Sequence, residues 1–100
     1  MAITQQTARS ITAPGELGLE TRVSFREAAI AELDGLTDGG TLNVDLAGTH
    51  RVDSAGLSAL MLIQRRAAEH GQRIRLRHPS DEIRYLLALT QLTDLFELES

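Results

Sequence analysis

The sequence predicts an α/β domain, in which parallel strands are joined by amphipathic helices. Residues 41–46 (TLNVDL) alternate apolar and polar side chains with the period of two that is typical of a strand. Residues 54–70 follow a helical period that ends at Gly71, and residues 72–78 (QRIRLRH) alternate again. Strand, helix and strand in succession indicate parallel neighbours joined by a right-handed crossover.

The composition favours one ordinary globular domain over residues 1–100. Hydrophobic residues make up 42% and charged residues 24% of the chain, and its net charge of -4 gives no support to nucleic-acid binding. The absence of cysteine excludes disulfides and thiolate metal sites. We find neither a signal peptide nor the roughly 20 apolar residues that span a bilayer. The chain is therefore expected to be cytoplasmic, without direct membrane insertion.

The N-terminal half starts with weak strand signals and a first helix. Residues 2–13, with Ile3 and Ile11, suggest one or two edge strands before Pro14 and Gly15 break the pattern. Residues 20–33 place apolar side chains at helical spacing. Asp34-Gly35 is expected to end this helix, and Asp38-Gly39-Gly40 is expected to form a flexible turn.

The second half repeats the pattern after the strand at residues 41–46. Residues 47–52 form the connection, with Val52 packing inward, and the second helix begins at Ser54 or Ala55 and ends at Glu69 or His70. After the strand at 72–78, Ser80 and Asp81 can start a third helix. Its predicted buried stripe consists of Ile83, Leu86, Leu87 and Thr90. A final short helix or strand contains Leu92, Leu95, Phe96 and Leu98.

The junction Asp53-Ser54-Ala55-Gly56-Leu57 is the candidate functional site. A hydroxyl and a carboxylate lie where the chain turns from loop into helix, and a helix N-terminus tolerates an anion well. One interpretation is that Ser54 is phosphorylated or docks a partner. The other is that Ser54 is an ordinary N-cap, which accepts a hydrogen bond from an amide two or three residues later.

One polar strip of the second helix contains a single large apolar residue. A step of 100° per residue aligns Ser54, Ser58, Leu62, Arg65 and Glu69. Leu62 is a candidate for partner binding, although a single exposed leucine is also common on protein surfaces. The inward side is predicted to consist of Leu57, Leu60, Met61, Ile63 and Ala67.

Catalytic and cofactor sites find little support in the sequence. The segment before Ser54 lacks the first glycine of a G-x-S-x-G nucleophile elbow, and no phosphate-binding glycine motif is present. His50, His70 and His78 are isolated at the ends of elements and match no metal-ligand spacing. We predict no enzyme activity, no cofactor and no bound metal.

Several motifs together resemble the STAS domain, the module of bacterial anti-sigma-factor antagonists. They are Pro14-Gly15-Glu16-Leu17, Val44-Asp45-Leu46, Val52-Asp53-Ser54-Ala55-Gly56-Leu57, Gly71 and Leu89-Thr90-Gln91-Leu92. The resemblance covers most of the chain. It implies a single STAS domain with a mixed β-sheet of four to five strands, helices packed mainly on one face, and a regulatory role exercised by binding.

In phosphorylated antagonists of this family, a partner kinase that is also the anti-sigma factor modifies the serine of a D-S-x-G motif. Ser54 occupies that position, so the resemblance implies a phosphorylation switch. The implied partner-binding residues are Asp53, Ser54, Ala55, Gly56, Ser58, Leu62 and Arg65. Many antagonists carry an acidic residue after G-E-L, where this chain has Gly18; Glu16 or Glu20 is the alternative source of that charge.

Two other settings of the same motif remain open. The chain is also similar to the small STAS subunit of the Mla phospholipid-transport ABC system, which binds the ATPase subunit through the helix after the motif and needs no phosphate. In a third setting, partner switching controls a phosphatase, a secretion system or a biofilm regulator.

Overall fold

A four-stranded parallel sheet forms the framework of the fold. The structure is a computed structural model that describes residues 6–99. The strands of the sheet are β1 (Gln6–Thr12), β3 (Leu36–Asp45), β5 (Arg73–Arg77) and β6 (Glu97–Glu99), in the spatial order β1-β3-β5-β6. Two short strands, β2 (Glu16–Leu17) and β4 (Arg51–Val52), pair with each other beside this sheet.

The helices pack on the apolar face of the sheet. They are α1 (Arg22–Asp34), α2 (Ser54–Ala68) and α3 (Asp81–Leu89), followed by a 3₁₀ turn at Thr93–Leu95. Leu42 and Val44 of β3 are fully buried and belong to the same core as side chains from every helix. The helical members of this core include Phe25, Leu33, Leu60, Ile63 and Leu87. The predicted fold class, α/β with helices on one face, is confirmed.

The described strand pairs all run in parallel, whereas the resemblance implied a mixed sheet. Leu42 pairs with Ile74 and Val44 with Leu76, so the buried faces of β3 and β5 coincide. The reason for the parallel direction is that each strand reaches its neighbour by a crossover: α1 joins β1 to β3, α2 joins β3 to β5, and α3 with the 3₁₀ turn joins β5 to β6.

The predicted turn at Asp38-Gly39-Gly40 is wrong, because β3 begins at Leu36 and continues through these residues. Two steps along β1, from Gln6 to Ala8, correspond to five steps along β3, from Leu36 to Thr41. The additional residues bulge out of the ladder, and Gly39 adopts a φ of 81° there. The glycines therefore serve an irregularity within a strand, not the connection between two elements.

The ends of the chain agree with the prediction in part. β1 is the edge strand expected before Pro14, while Ile3 lies outside the described residues. The terminal segment forms both a short helix and a strand. Thr90 is exposed because it caps α3 at its C-terminus, so it does not continue the buried stripe of Ile83 and Leu87. Over residues 6–99, no helix has the length and apolar character required to span a membrane.

Helix α2 ends at Ala68, just before the predicted Glu69 or His70, and Gly71 stops it as the sequence predicts. Gly71 adopts a φ of 66°, a left-handed conformation that glycine takes without steric cost. The amide of Gln72 donates to the Ala67 carbonyl (2.9 Å) and that of Gly71 to the Ala68 carbonyl (3.1 Å), which together form a Schellman motif. The helix thus has a defined start at Ser54 and a defined stop.

Candidate functional site

Ser54 is the first residue of α2, and the preceding residue caps the helix. Asp53 has an extended backbone (φ -95°, ψ -176°), and its Oδ1 accepts a hydrogen bond from the Gly56 amide at 2.9 Å. The interpretation of Ser54 as the N-cap is therefore wrong: the carboxylate of Asp53 already satisfies the free amide of the first turn. Ser54 is exposed, and its hydroxyl has no hydrogen-bond partner within residues 6–99.

The Asp53 carboxylate also binds the loop before α1. Its Oδ2 accepts a hydrogen bond from the Leu19 amide at 3.3 Å, while the Asp53 amide donates to the Leu17 carbonyl at 3.2 Å. The hydrogen bond from the Gly56 amide is the main cause that lowers the pKa of Asp53 below its usual value, with smaller contributions from the Leu19 amide and the charge of Arg51. Asp53 is therefore ionised at neutral pH beside Ser54.

Gly18 lies directly against this carboxylate. It is buried, and a Cβ atom at this position would collide with the carboxylate of Asp53. An acidic side chain would in addition bring a second negative charge next to Asp53. The local packing therefore accommodates glycine at position 18, whereas an acidic side chain there would collide with Asp53. Glu16 and Glu20, the alternative acidic residues, both line an open pocket beside Asp53.

Gly56 is buried, which corrects its predicted place on the contact surface. A Cβ atom at this position would collide with the carbonyl group of Leu17. The first turn of α2 can therefore approach the backbone of β2 only because residue 56 has no side chain. Gly56 contributes to the site by allowing this close approach, and a partner that binds α2 has no direct access to it.

The polar strip of α2 is exposed as predicted. Ser58, Leu62 and Arg65 follow Ser54 on the solvent side, and Leu62 exposes 42% of its surface. Ala55 is half-buried. The opposite side packs inward: Leu60, Ile63 and Ala67 are buried, and Leu57 and Met61 are half-buried. The helix thus presents a mostly polar strip with one large apolar side chain, next to the exposed hydroxyl of Ser54.

The pocket beside Asp53 has a volume of about 290 Å³ and is open to solvent. Its lining residues are Glu16, Leu17, Gly18, Leu19, Glu20, Thr21, Arg51 and Asp53. Leu19, Thr21 and Arg51 are neighbours of Asp53 that the sequence did not predict. In the sequence, Leu19 stands out only as a leucine that precedes the first helix. Its proximity to Asp53 arises from a contact between distant segments, which no local pattern reports.

Metal binding finds no support among residues 6–99, where no group of three or more histidine, aspartate or glutamate side chains is placed to hold an ion. His70 lies 4.0 Å from a carboxylate oxygen of Asp38 at the other end of α2, away from Ser54. The chemistry available at the site is therefore that of an exposed hydroxyl at a helix N-terminus, beside a carboxylate that is held in place by two backbone amides.

Comparison with known proteins gives a match of residues 2–98 to the family described as "Mlab, STAS domain". An anti-sigma-factor antagonist (STAS) domain protein from Planctomyces limnophilus has a similar structure, with a TM-score of 0.82, 17% identity and coverage of 99% of this chain and 88% of that one. A comparison with curated proteins finds no match.

The anti-sigma factor antagonist SpoIIAA is similar in two forms. The unphosphorylated form has a TM-score of 0.68 at 15% identity and covers 99% of this chain and 84% of its own. The phosphorylated form, from Bacillus, has a TM-score of 0.71 at 17% identity and covers 99% and 88%. At these identities the structural similarity establishes the shared fold alone.

Proposed function

This chain belongs to the STAS domain family, whose members interact with partner proteins, and we propose that it is a non-enzymatic partner switch controlled by phosphorylation of Ser54. Unphosphorylated, it binds a serine kinase that is also an anti-sigma factor; phosphorylated, it releases this partner. The observation that carries the proposal is the exposed Ser54 hydroxyl, which begins α2 and is not used by the cap. A solved structure of the antagonist SpoIIAA in a phosphorylated form supports it by analogy.

The first turn of α2 suits a phosphoryl acceptor. In the transfer, Ser54 Oγ forms a bond to the γ-phosphorus of ATP bound to the kinase, the bond to the leaving ADP oxygen breaks, and the hydroxyl proton passes to a base of the kinase. The product adds a charge of about -1.5 to -2 at the helix N-terminus, where backbone amides and the helix dipole stabilise it. The ionised Asp53 lies beside it and opposes this gain.

The contact surface in this proposal is the exposed side of α2. Its members are Asp53, Ser54, Ala55, Ser58, Leu62 and Arg65, while Gly56 acts through packing. A phosphate at the edge of a desolvated interface weakens binding through repulsion and the cost of removing water from the charge. The fold itself need not change for the partner to be released.

The test combines mass and binding measurements. We expect the intact mass of the protein purified from its own host to include a phosphate that maps to Ser54. Ser54→Asp is expected to fold normally and to lose the partner that co-purifies with the wild type. Ser24→Asp is the matched control, because Ser24 is an exposed serine in the first turn of α1. Retained tight binding by Ser54→Asp would refute the switch.

A second candidate function is docking on the ATPase of a phospholipid-transport ABC system, without any modification. The name of the matched family and the presence of Gly18 in place of an acidic residue favour it. In this case Ser54 remains unmodified under all growth conditions and serves as a contact. The neighbouring genes separate the two candidates: a serine kinase gene favours the switch, and genes for a permease and an ATPase favour the transporter.

A further inference from the structure

Apolar side chains lie partly uncovered on α1, on α2 and in the loop before α1. Leu19, Val23 and Leu62 expose 68%, 43% and 42% of their surfaces, and Ile30 and Ala55 are half-buried. We call these five residues the α1–α2 seam. Single exposed apolar residues are normal on protein surfaces, but several in one line indicate an interaction site.

One ion pair shows how the two helices face each other. Arg66 Nη2 lies 2.7 Å from Asp34 Oδ1, and both helices run in the same direction because each returns the chain to a parallel strand. On a helix, residues 4 and 11 positions apart lie on one line. The residues 4 and 11 positions before this pair are Ile30 and Val23 in α1, and Leu62 and Ala55 in α2.

The seam has two different ends. The Asp34–Arg66 pair closes one end. At the other end, the Asp53 carboxylate accepts a hydrogen bond from the Leu19 amide, so that this exposed leucine lies beside the N-terminal cap of α2. The eleven residue steps from Val23 to Asp34 span roughly 16 Å, about three helical turns. This length fits the short run of anchors with which an amphipathic helix binds a groove.

Charges of opposite sign lie within and beside the seam. On α1, Glu27 lies in line with Val23 and Ile30, four residues after the first and three before the second, and on α2, Arg65 is three residues after Leu62. Both are exposed, and neither forms an ion pair within residues 6–99. A partner helix with an apolar stripe, a basic residue on one side and an acidic residue on the other would complement this surface.

We propose that the α1–α2 seam is the docking site of one amphipathic helix of the partner protein. The inference rests on the proposed function, which places the partner on α2, and extends the contact to α1 and Leu19. This docking site also explains how phosphorylation of Ser54 would weaken binding of the partner. Ala55 belongs to the seam, so a phosphate on Ser54 lies at its open end and must lose water when the partner helix binds.

Photo-crosslinking of the full chain in its own host tests the location. A benzophenone amino acid replaces Val23 (seam), Ser58 (α2 outside the seam) or Tyr85, an exposed control on α3. We expect positions 23 and 58 to capture the same protein, and the crosslinked sites in that protein to lie in one segment with helical spacing. Position 85 should not capture this protein. Capture from 58 without 23 overturns the seam and leaves the proposed function intact, whereas capture from neither overturns both.

An affinity measurement on the captured partner tests the energetics. Val23→Asp is expected to raise the Kd about tenfold, since it removes one apolar anchor from the interface. The fold should persist, because a carboxylate in the first turn of α1 is favoured by the helix dipole. Tyr85→Asp is expected to leave the Kd unchanged. An unchanged Kd for a folded Val23→Asp variant overturns the inference.

Discussion

Helices α2 and α3 begin with the same local chemistry but are tied to the fold differently. Each is capped by a side-chain oxygen that accepts a hydrogen bond from the amide three residues later. Asp53 Oδ1 accepts from the Gly56 amide (2.9 Å), and Ser80 Oγ accepts from the Ile83 amide (3.1 Å). Asp53 has a second oxygen, which binds the amide of Leu19, 34 positions away. A cap can therefore fix a helix start alone, or can also join two segments into a site.

The first turns differ in the same way. In α2, Gly56 lies against the Leu17 backbone, whereas the first turn of α3 carries the exposed acidic residues Asp81 and Glu82. Acidic residues in a first turn stabilise a helix from within its own sequence. The start of α3 is therefore determined locally, and the start of α2 depends on tertiary contacts with β2 and the loop before α1.

The largest expected effect is that of Gly56→Ala. The added Cβ collides with the Leu17 carbonyl, which is backbone and cannot move aside, so we expect a loss of about 3 kcal/mol in the free energy of unfolding. Urea denaturation measures it. Gly48→Ala is the matched control, because the space around Gly48 is open, and a change within about 0.5 kcal/mol is expected. Equal stability of the two variants would show that the contact between Gly56 and the Leu17 backbone does not constrain the start of α2.

Replacement of Asp53 should change the stability of the protein in a pH-dependent way. Its pKa is lowered in the folded protein, so the ionised carboxylate stabilises the fold above the ordinary aspartate pKa of about 3.9, and this contribution is lost as the pH falls through the folded pKa. Asp53→Ala should therefore destabilise the protein at pH 7 and by less at pH 3, as measured by urea denaturation.

Asp53→Asn separates the two roles of this residue. Asparagine can still cap α2 through its carbonyl oxygen, but its amide group cannot accept from the Leu19 amide. We expect a smaller loss than for alanine and no titration of this contribution between pH 3 and pH 7. A variant with the stability of wild type at pH 7 would show that the bond to Leu19 contributes nothing.

Ser80→Ala tests the locally determined helix. Only one cap bond is lost, so a decrease of about 1 kcal/mol in the free energy of unfolding is expected. The bond involves no titratable side chain, and the decrease should be the same at pH 3 and pH 7. A loss comparable to that of Gly56→Ala would contradict the distinction between α2 and α3.

The smallest effect on stability is expected for Leu62→Lys. The side chain is 42% exposed, and the free energy of unfolding should stay within about 0.5 kcal/mol of wild type. Partner binding should nevertheless be abolished. Leu89→Lys on α3 is the control, because Leu89 is 66% exposed and lies outside the α1–α2 seam. A folded Leu62→Lys variant that still binds would exclude Leu62 from the contact surface.

The sequence by itself determined the order of the three helices and the strands between them, the stop of α2 near Gly71 and the exposure of the strip from Ser54 to Arg65. These features follow from the period of apolar residues and from glycine at position 71, which are local signals. The glycines at positions 39 and 40 misled the prediction, because a bulge within a strand and a turn between elements use the same residue type.

Only the tertiary structure decided which residue does what at the site. Asp53, and not Ser54, caps α2; Gly56 is buried; and the Leu19 amide donates to Asp53. The burial of Gly56 and the bond between Leu19 and Asp53 depend on the approach of β2 and the following loop to α2, across more than thirty positions of the chain. Periodicity within one segment cannot report such a contact, because it describes which side of an element is buried and not what that side is buried against.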